Sequence, residues 1–553
     1  MSPRHLLLFA LLQVPPQQEV SQQDAAITFE SRVSEVPVTV VVRDKSGKAF
    51  DGLTKADFAL FDKGKPQTIS RLSIERSNPA SATVAAPGMP AEPAIAKPAA
   101  IPERFTAFYF DDVHLSLGSL SDARKAAEKY LAAGLKPTER AALFTSSGQG
   151  DVEFTDKTAD LLAGLAHLRT RPVTPHTGEQ CPALTFYQAD LIINQHDATA
   201  FRMAALETKA CLRLYSIEEA EPMARAAAQV AIDEGDHETR LGLDGLRDVV
   251  RRISAMPGRR LILMVSPGFL RLTIHEQEES QIIDRASKAG VVISALDARG
   301  LYTDAPADPG RQTLSPQVES AKMQYDRMQN RAGSDLMAEF ASGTGGTLFE
   351  NNNDLDTGLA LLSAPPEVTY VLGFTPLDLK PDGSFHALKV TLPHRPDLVV
   401  KARSGYYAPN HVANAEEQIR DELAQALFSR EETRSIPADI RTQYLKSSDD
   451  EARLTVTTRI DVRKLRFRKV EGRNGDELIV VSGLFDRNGN FLKAVSKKID
   501  MRIRDETLAS RLNGGVAVHA DFKVAPGHYL VRMVVRDAEG QTMTTQNGSV
   551  EIP

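Results

Sequence analysis

Cysteine is scarce: Cys181 and Cys211 are the only two in 553 residues. That rules out a disulfide-dense scaffold and the Cys-x-x-Cys or Cys/His spacings of a zinc site. No apolar run approaches the ~20 residues that cross a bilayer. There is no basic block, and the net charge of −7 disfavours a nucleic-acid role. Three catalytic signatures are missing as well. No glycine-rich phosphate loop carries a Lys. Ser266 is flanked by Met264 and Gly268, so the Gly-x-Ser-x-Gly elbow is absent. Neither His237-Glu238 nor His275-Glu276 continues to the second His of a zinc protease helix.

What remains is globular and multidomain. Hydrophobic residues make up 42% and charged residues 25%, ordinary values for packed domains. The length implies three or four of them. At the start, Arg4 and His5 precede the apolar stretch Leu6 to Leu12, the pattern of a signal-peptide core. Export to a secreted or periplasmic location is therefore expected. Two cysteines with none left over then suggest one disulfide, Cys181–Cys211, closing a loop of ~30 residues worth roughly 3–4 kcal/mol in the chain-entropy model.

The chain is organised around Phe105 to Phe110, an apolar run broken only by Thr106 and followed by Asp111, Asp112, Val113, His114, Leu115 and Ser116. A buried parallel strand ending in carboxylates, then a helix, places ligand chemistry at the strand's C-terminal end. Further buried strands are expected at Arg140 to Phe144, Leu261 to Val265 and Val291 to Leu296, alternating with helices. The expected fold class is α/β: a doubly wound, mostly parallel sheet with a small N-terminal β module and a C-terminal β-sandwich of immunoglobulin or fibronectin type. The boundaries read as a signal peptide and disordered N-terminus over 1–26, a β-rich module over 27–77 and a Pro/Ala linker over 78–102. The α/β domain follows over 103–409 with a helical insertion at about 173–252, then a connecting helix over 410–435 and the sandwich over 436–553.

The spacing Asp112-x-His114-x-Ser116 resembles the Asp-x-Ser-x-Ser loop of von Willebrand factor A domains. Gly258 to Gly268, Ala295 to Leu301, Thr344 to Thr347, Tyr370 to Phe374 and Arg403 to Tyr407 follow in order. Together they resemble the VWFA-related domain family typical of acidobacterial secreted proteins. The resemblance implies a degenerate metal-ion-dependent adhesion site with Asp112, His114, Ser116 and Thr185 as metal ligands. Thr185 reads more readily as the cap of its own helix. Ser266 stands where the family pattern has an acidic ligand, so a single divalent cation, Mg²⁺, Mn²⁺ or Zn²⁺, would be held weakly. Asp111, Asp112, His114, Ser116 and Ser266 are the expected ligand-binding set, and the partner is a protein or cell-surface ligand. The alternative is an exported hydrolase using Asp111, Asp112 and His114. A third reading makes Asp111 and Asp112 mere caps of the following helix.

Overall fold

Three strands set the position of the site. Arg104–Phe110 lies between Glu139–Thr145 and Arg259–Ser266, parallel to both, with Phe110 opposite Thr145 on one side and Val265 on the other. The computed structural model describes residues 20–24, 36–45, 48–76, 102–173, 181–301, 315–364, 368–376, 380, 382–408, 415–429, 432–510 and 515–553. Arg104–Phe110 is buried along its whole length because helices cover both faces. Phe108 and Phe110 share a core with Leu117–Ala132, Thr158–His167 and Leu355–Ser363. Phe105 and Tyr109, on the opposite face by the period of two, meet Ile217–Ser254, Glu276–Lys288 and Pro316–Thr344. Val291–Asp297 and Leu348–Phe349 extend this six-stranded sheet on one side, and Val152–Thr155 closes the other side antiparallel.

A second unit is wholly antiparallel. Val36–Arg43, Ile69–Arg76, Val368–Phe374 and Val399–Ala402 form one sheet, and Ala59–Asp62, Lys65–Gln67, Phe385–Thr391 and Gly405–Tyr407 form another. Val38, Val40 and Val42 pack with Tyr370, Leu372 and Phe374 in their common core. In the third unit a six-stranded sheet built on Arg473–Asp486 and Gly527–Asp537 faces the three strands Ala438–Lys446, Ala452–Ile460 and Val516–Val524. Leu478, Val480, Met533 and Val535 meet Ile460, Val516 and Val518 between them. This unit seats where the central strands begin: Arg140 donates to the Arg487 carbonyl at 3.1 Å, and Arg260 donates to that of Phe428. The Asp111 loop lies at the opposite end.

These observations correct the expected class. The molecule is not an α/β protein built on a doubly wound, mostly parallel sheet; antiparallel and mixed sheets dominate it. Of five sheets among the described residues, four are antiparallel throughout, and the one with parallel pairs is itself mixed. The strands Val368–Phe374, Phe385–Thr391 and Val399–Ala402, which fall inside the segment expected to be the α/β domain, pair instead with the N-terminal β module, about 290 residues or more away. That module has too few residues to enclose a core alone, and the pairing supplies the missing half. Val20–Asp24, expected within a disordered terminus, pairs antiparallel with Lys497–Met501. The Arg4 to Leu12 segment and the Pro/Ala stretch up to residue 101 lie outside the described residues. The helical segment between 186 and 254 comprises Phe186–Ile193, Ala198–Leu212 and Ile217–Ser254. Cys181 and Cys211 are disulfide-bonded there, with Cα atoms 6.1 Å apart.

Candidate functional site

Because the three central strands end level, the residues just past them meet: Asp111 and Asp112 from the first, Ser146 and Ser147 from the second, and Ser266 at the end of the third. The chain leaves the first strand toward one neighbour and returns beside the other, a strand order whose carboxyl ends bind ligands in open sheets.

Asp111 is the hub. It is fully buried and accepts hydrogen bonds from Ser266 Oγ at 2.7 Å and Ser146 Oγ at 3.0 Å. His114 Nδ1 lies 2.8 and 2.9 Å from its two oxygens. Burial alone would raise the Asp111 carboxyl, but the imidazolium charge and the bonds from His114, Ser266 and Ser146 hold it below the usual range. His114 responds in the opposite sense. Burial would lower it, yet the Asp111 charge and hydrogen bond, helped by Glu238 and Asp112, raise it above 6.5. The pair thus favours the imidazolium form, with Nδ1 committed to Asp111. Its Nε2 has no hydrogen-bond partner among the described residues, and the side chain is 12% exposed.

Asp112 is equally occupied. Its Oδ1 accepts from Ser146 Oγ and from Ser147 N, each at 2.9 Å, and its Oδ2 from Ser147 Oγ at 2.6 Å. Arg171 Nε stands 3.8 Å from Oδ2. Ser146 has one hydroxyl proton, so it serves one carboxylate at a time while accepting the Val113 N–H at 3.2 Å.

The long helix Ile217–Ser254 closes the site through two glycines. A Cβ at Gly242 would stand 3.0 Å from the Phe269 ring, which stacks on His114 with centroids 4.8 Å apart. A Cβ at Gly245 would come within 2.8 Å of the Tyr109 hydroxyl and 3.1 Å of Ser146 Cα. Each glycine costs the helix about 1 kcal/mol relative to Ala, and each admits contact with the strand ends. Tyr109 donates to the Gly242 carbonyl at 2.7 Å; burial first, then the nearby carboxylates, pushes its hydroxyl well above the usual range.

The metal set read from the sequence is not assembled. Ser116 caps Leu117–Ala132, accepting Ser119 N at 3.1 Å, and Thr185 caps Phe186–Ile193, accepting Gln188 N at 3.0 Å. Asp112 is 1% exposed with both oxygens taken. Among the described residues no group of three or more His, Cys, Asp or Glu is arranged to hold a metal ion. The physical reason is local. A hydroxyl at the first residue before a helix is drawn to that helix's free N–H groups. Of the expected ligand-binding set, Asp111, Asp112, His114 and Ser266 converge, while Ser116 does not join them. Ser146, Ser147, Arg171 and Phe269 were missed. Phe144-Thr145-Ser146-Ser147-Gly148, an apolar strand running into hydroxyls, was the available signal for the serines. The serine geometry also bears on catalysis: Ser266 is fully buried and donates to Asp111, while the His114 nitrogen nearest the network faces a carboxylate rather than a hydroxyl.

No protein-family model matches the chain, and no curated protein matches it. Among solved structures, it is similar to a β-glucuronidase of Bacteroides uniformis at 14% identity, over 34% of this chain and 19% of that one, with a TM-score of 0.15. The conserved hypothetical protein BatB of Bacteroides thetaiotaomicron is similar at 13% identity, over 47% of this chain and 96% of that one, with a TM-score of 0.23. β-Glucosidase 3B of Thermotoga neapolitana follows at 10% identity over 56% and 40%, with a TM-score of 0.12. The chain thus spans about a fifth of the glucuronidase it matches. Likeness at these scores carries neither a doubly wound fold nor an activity across to this chain.

Proposed function

We propose that this is an exported binding protein whose Asp111–His114 end recognises an acidic group on a protein or cell-surface ligand without a metal. The likeness of its motifs to the VWFA-related family is part of the same proposal. One observation carries it: both carboxylates are buried and satisfied, so the chemistry left to a ligand is cationic. His114, held by Asp111 and favoured in its charged form, offers Nε2–H, and Arg171, whose Nε lies 3.8 Å from Asp112 Oδ2, has a side chain 42% exposed. Charge-assisted hydrogen bonds from such donors suit a carboxylate.

Fluorescence anisotropy of a labelled polyglutamate peptide with the full chain tests this in the presence of chelator. Binding should strengthen as the pH falls and His114 gains its proton. It should weaken about tenfold in His114→Gln and in Arg171→Gln, the worth of one hydrogen bond to a charged group. Binding that requires an added divalent cation, or that ignores both substitutions, overturns the reading.

A further inference from the structure

In the C-terminal unit two acidic side chains face each other out of water. Asp537 ends the strand Gly527–Asp537 and pairs in register with Leu478, which puts Asp476, two residues earlier, on the same face of the adjacent strand. Asp476 is 5% exposed and Asp537 2%. The two carboxyl groups thus lie on one face of neighbouring strands, and Asp476 Oδ2 has no hydrogen-bond partner among the described residues. The surrounding turn is tied to the same two groups. Gly540 N donates to Asp537 Oδ1 at 2.6 Å, while Glu477 N and Glu539 N reach Asp476 Oδ1 at 2.7 and 3.4 Å.

Among the described residues no cation pairs with either carboxyl. Arg468 is engaged with Glu539 at 3.3 Å and Lys498 with Glu477 at 2.6 Å. Arg536 pairs with Glu422 at 3.1 Å, and Arg502 lies 3.8 Å from Asp500. Two neighbouring buried carboxylates cannot both be ionised cheaply, and an orphan buried oxygen is costly unless something fills the gap.

We propose that Asp476 and Asp537 share a single proton and so form a pH-operated latch that holds the Asp537–Gly540 turn against the neighbouring strand. Asp476 carries the O–H and donates it to the Asp537 carboxylate. Loss of the proton to solvent leaves two adjacent negative charges beside Glu539, and the turn is pushed off. Burial, then the Asp537 charge, pushes Asp476 up to about 7 against the bonds from Glu477 and Glu539. A native value above the ordinary 3.8 sets the sign. The latch's contribution is whole below about 3.8 and is lost as the pH rises to about 7.

Amide hydrogen exchange on the intact chain in chelator, corrected for the intrinsic pH dependence, reads the latch at Glu539 and Gly540. Protection should fall about tenfold per pH unit between about pH 5 and pH 7 and then level off. Asp476→Asn, which keeps a permanent donor in place of the acid, should hold protection constant over that range. Asp537→Asn removes the neighbouring charge but not the burial that raises Asp476 most, so the slope should end at a lower pH than in the parent chain, and failure of one variant to fold leaves the other decisive. A pH slope unchanged in the folded variants overturns the proposal. So does a flat profile in the parent chain, or full restoration of protection at about pH 8 by added Ca²⁺, which would make a metal rather than a proton the occupant.

Discussion

Two Asp–His pairs with nearly the same geometry do different work in this molecule. His114 Nδ1 stands 2.8 and 2.9 Å from the oxygens of Asp111, and His386 Nδ1 stands 2.9 and 3.1 Å from those of Asp62. The first pair spans three residues of one loop, the second 324 residues of chain. At the sheet end the carboxylate is surrounded by serines from two neighbouring strands, and the imidazole nitrogen it does not hold has no hydrogen-bond partner among the described residues. In the antiparallel unit the carboxylate accepts the Tyr406 hydroxyl at 2.7 Å, and His386 and Tyr406 sit opposite each other in register. Burial and the Asp62 bond push that phenol far above its usual range. A carboxylate can therefore hold an imidazole within its own loop or staple distant strands together. Which role results depends on what shares its remaining lone pairs.

The sharpest way to break the comparison is to remove the staple. Asp62→Ala leaves His386 and the Tyr406 hydroxyl buried without their acceptor. It should cost about 3 kcal/mol, in the range for breaking a buried pair from one side. Denaturant unfolding, with hydrogen exchange followed along Val36–Arg43, measures this, and polyglutamate binding at the other pair should not change. A loss under about 1 kcal/mol would remove the distinction between the two pairs.

Asp111→Asn attacks the other member and should cost less, about 2 kcal/mol, because His114 can lose its proton and Ser146 and Ser266 keep an oxygen to bond. Its signature is the pH dependence. Asp111 is depressed, so its contribution is present above its ordinary 3.8 and disappears as the pH falls through the lower native value. His114 is raised, so its contribution is present below 6.5 and disappears as the pH rises through the higher native value. The parent chain should hold the pair's full contribution between those limits, and Asp111→Asn should flatten both flanks. His114 titration by NMR checks the same point: a His114 value unmoved by the substitution contradicts the coupling.

The contrast also explains what the sequence made legible. Phe105 to Ser116 could be read as strand, carboxylate loop and helix because all three lie within consecutive residues. Ser266 was found because an apolar run ends there. Asp112 was preferred as the central carboxylate on spacing, and it is Asp111 that joins three strands. That assignment depends on which strands flank Arg104–Phe110, and periodicity carries no information on neighbours. The same limit hid Ser146 and Ser147, and it hid the Asp62 pair, whose halves are unremarkable until Ala59–Asp62 and Phe385–Thr391 lie side by side. Strand existence is a local property. Sheet membership is decided by burial of faces that only the folded chain brings together, so the N-terminal module and strands 368–407 were assigned to separate domains.

The smallest effect separates a ligand from a cap. Ser116 was expected to bind a metal, and in the structure it accepts Ser119 N at 3.1 Å and donates to Ser119 Oγ at 2.9 Å, at the start of a 16-residue helix. Ser116→Ala removes that cap and should cost about 1 kcal/mol. Ser116→Asp supplies another capping oxygen, with a charge that the helix N-terminus favours, and should restore most of the loss. A metal role makes the opposite prediction for solution conditions. The parent chain would then be stabilised by Mg²⁺ or Mn²⁺ and Ser116→Ala would not, since a ligand bound only by the native state adds to stability. Thermal unfolding of the three chains in chelator and in excess divalent cation decides between them. Equal behaviour with and without metal, together with recovery in the Asp variant, assigns the hydroxyl to the helix.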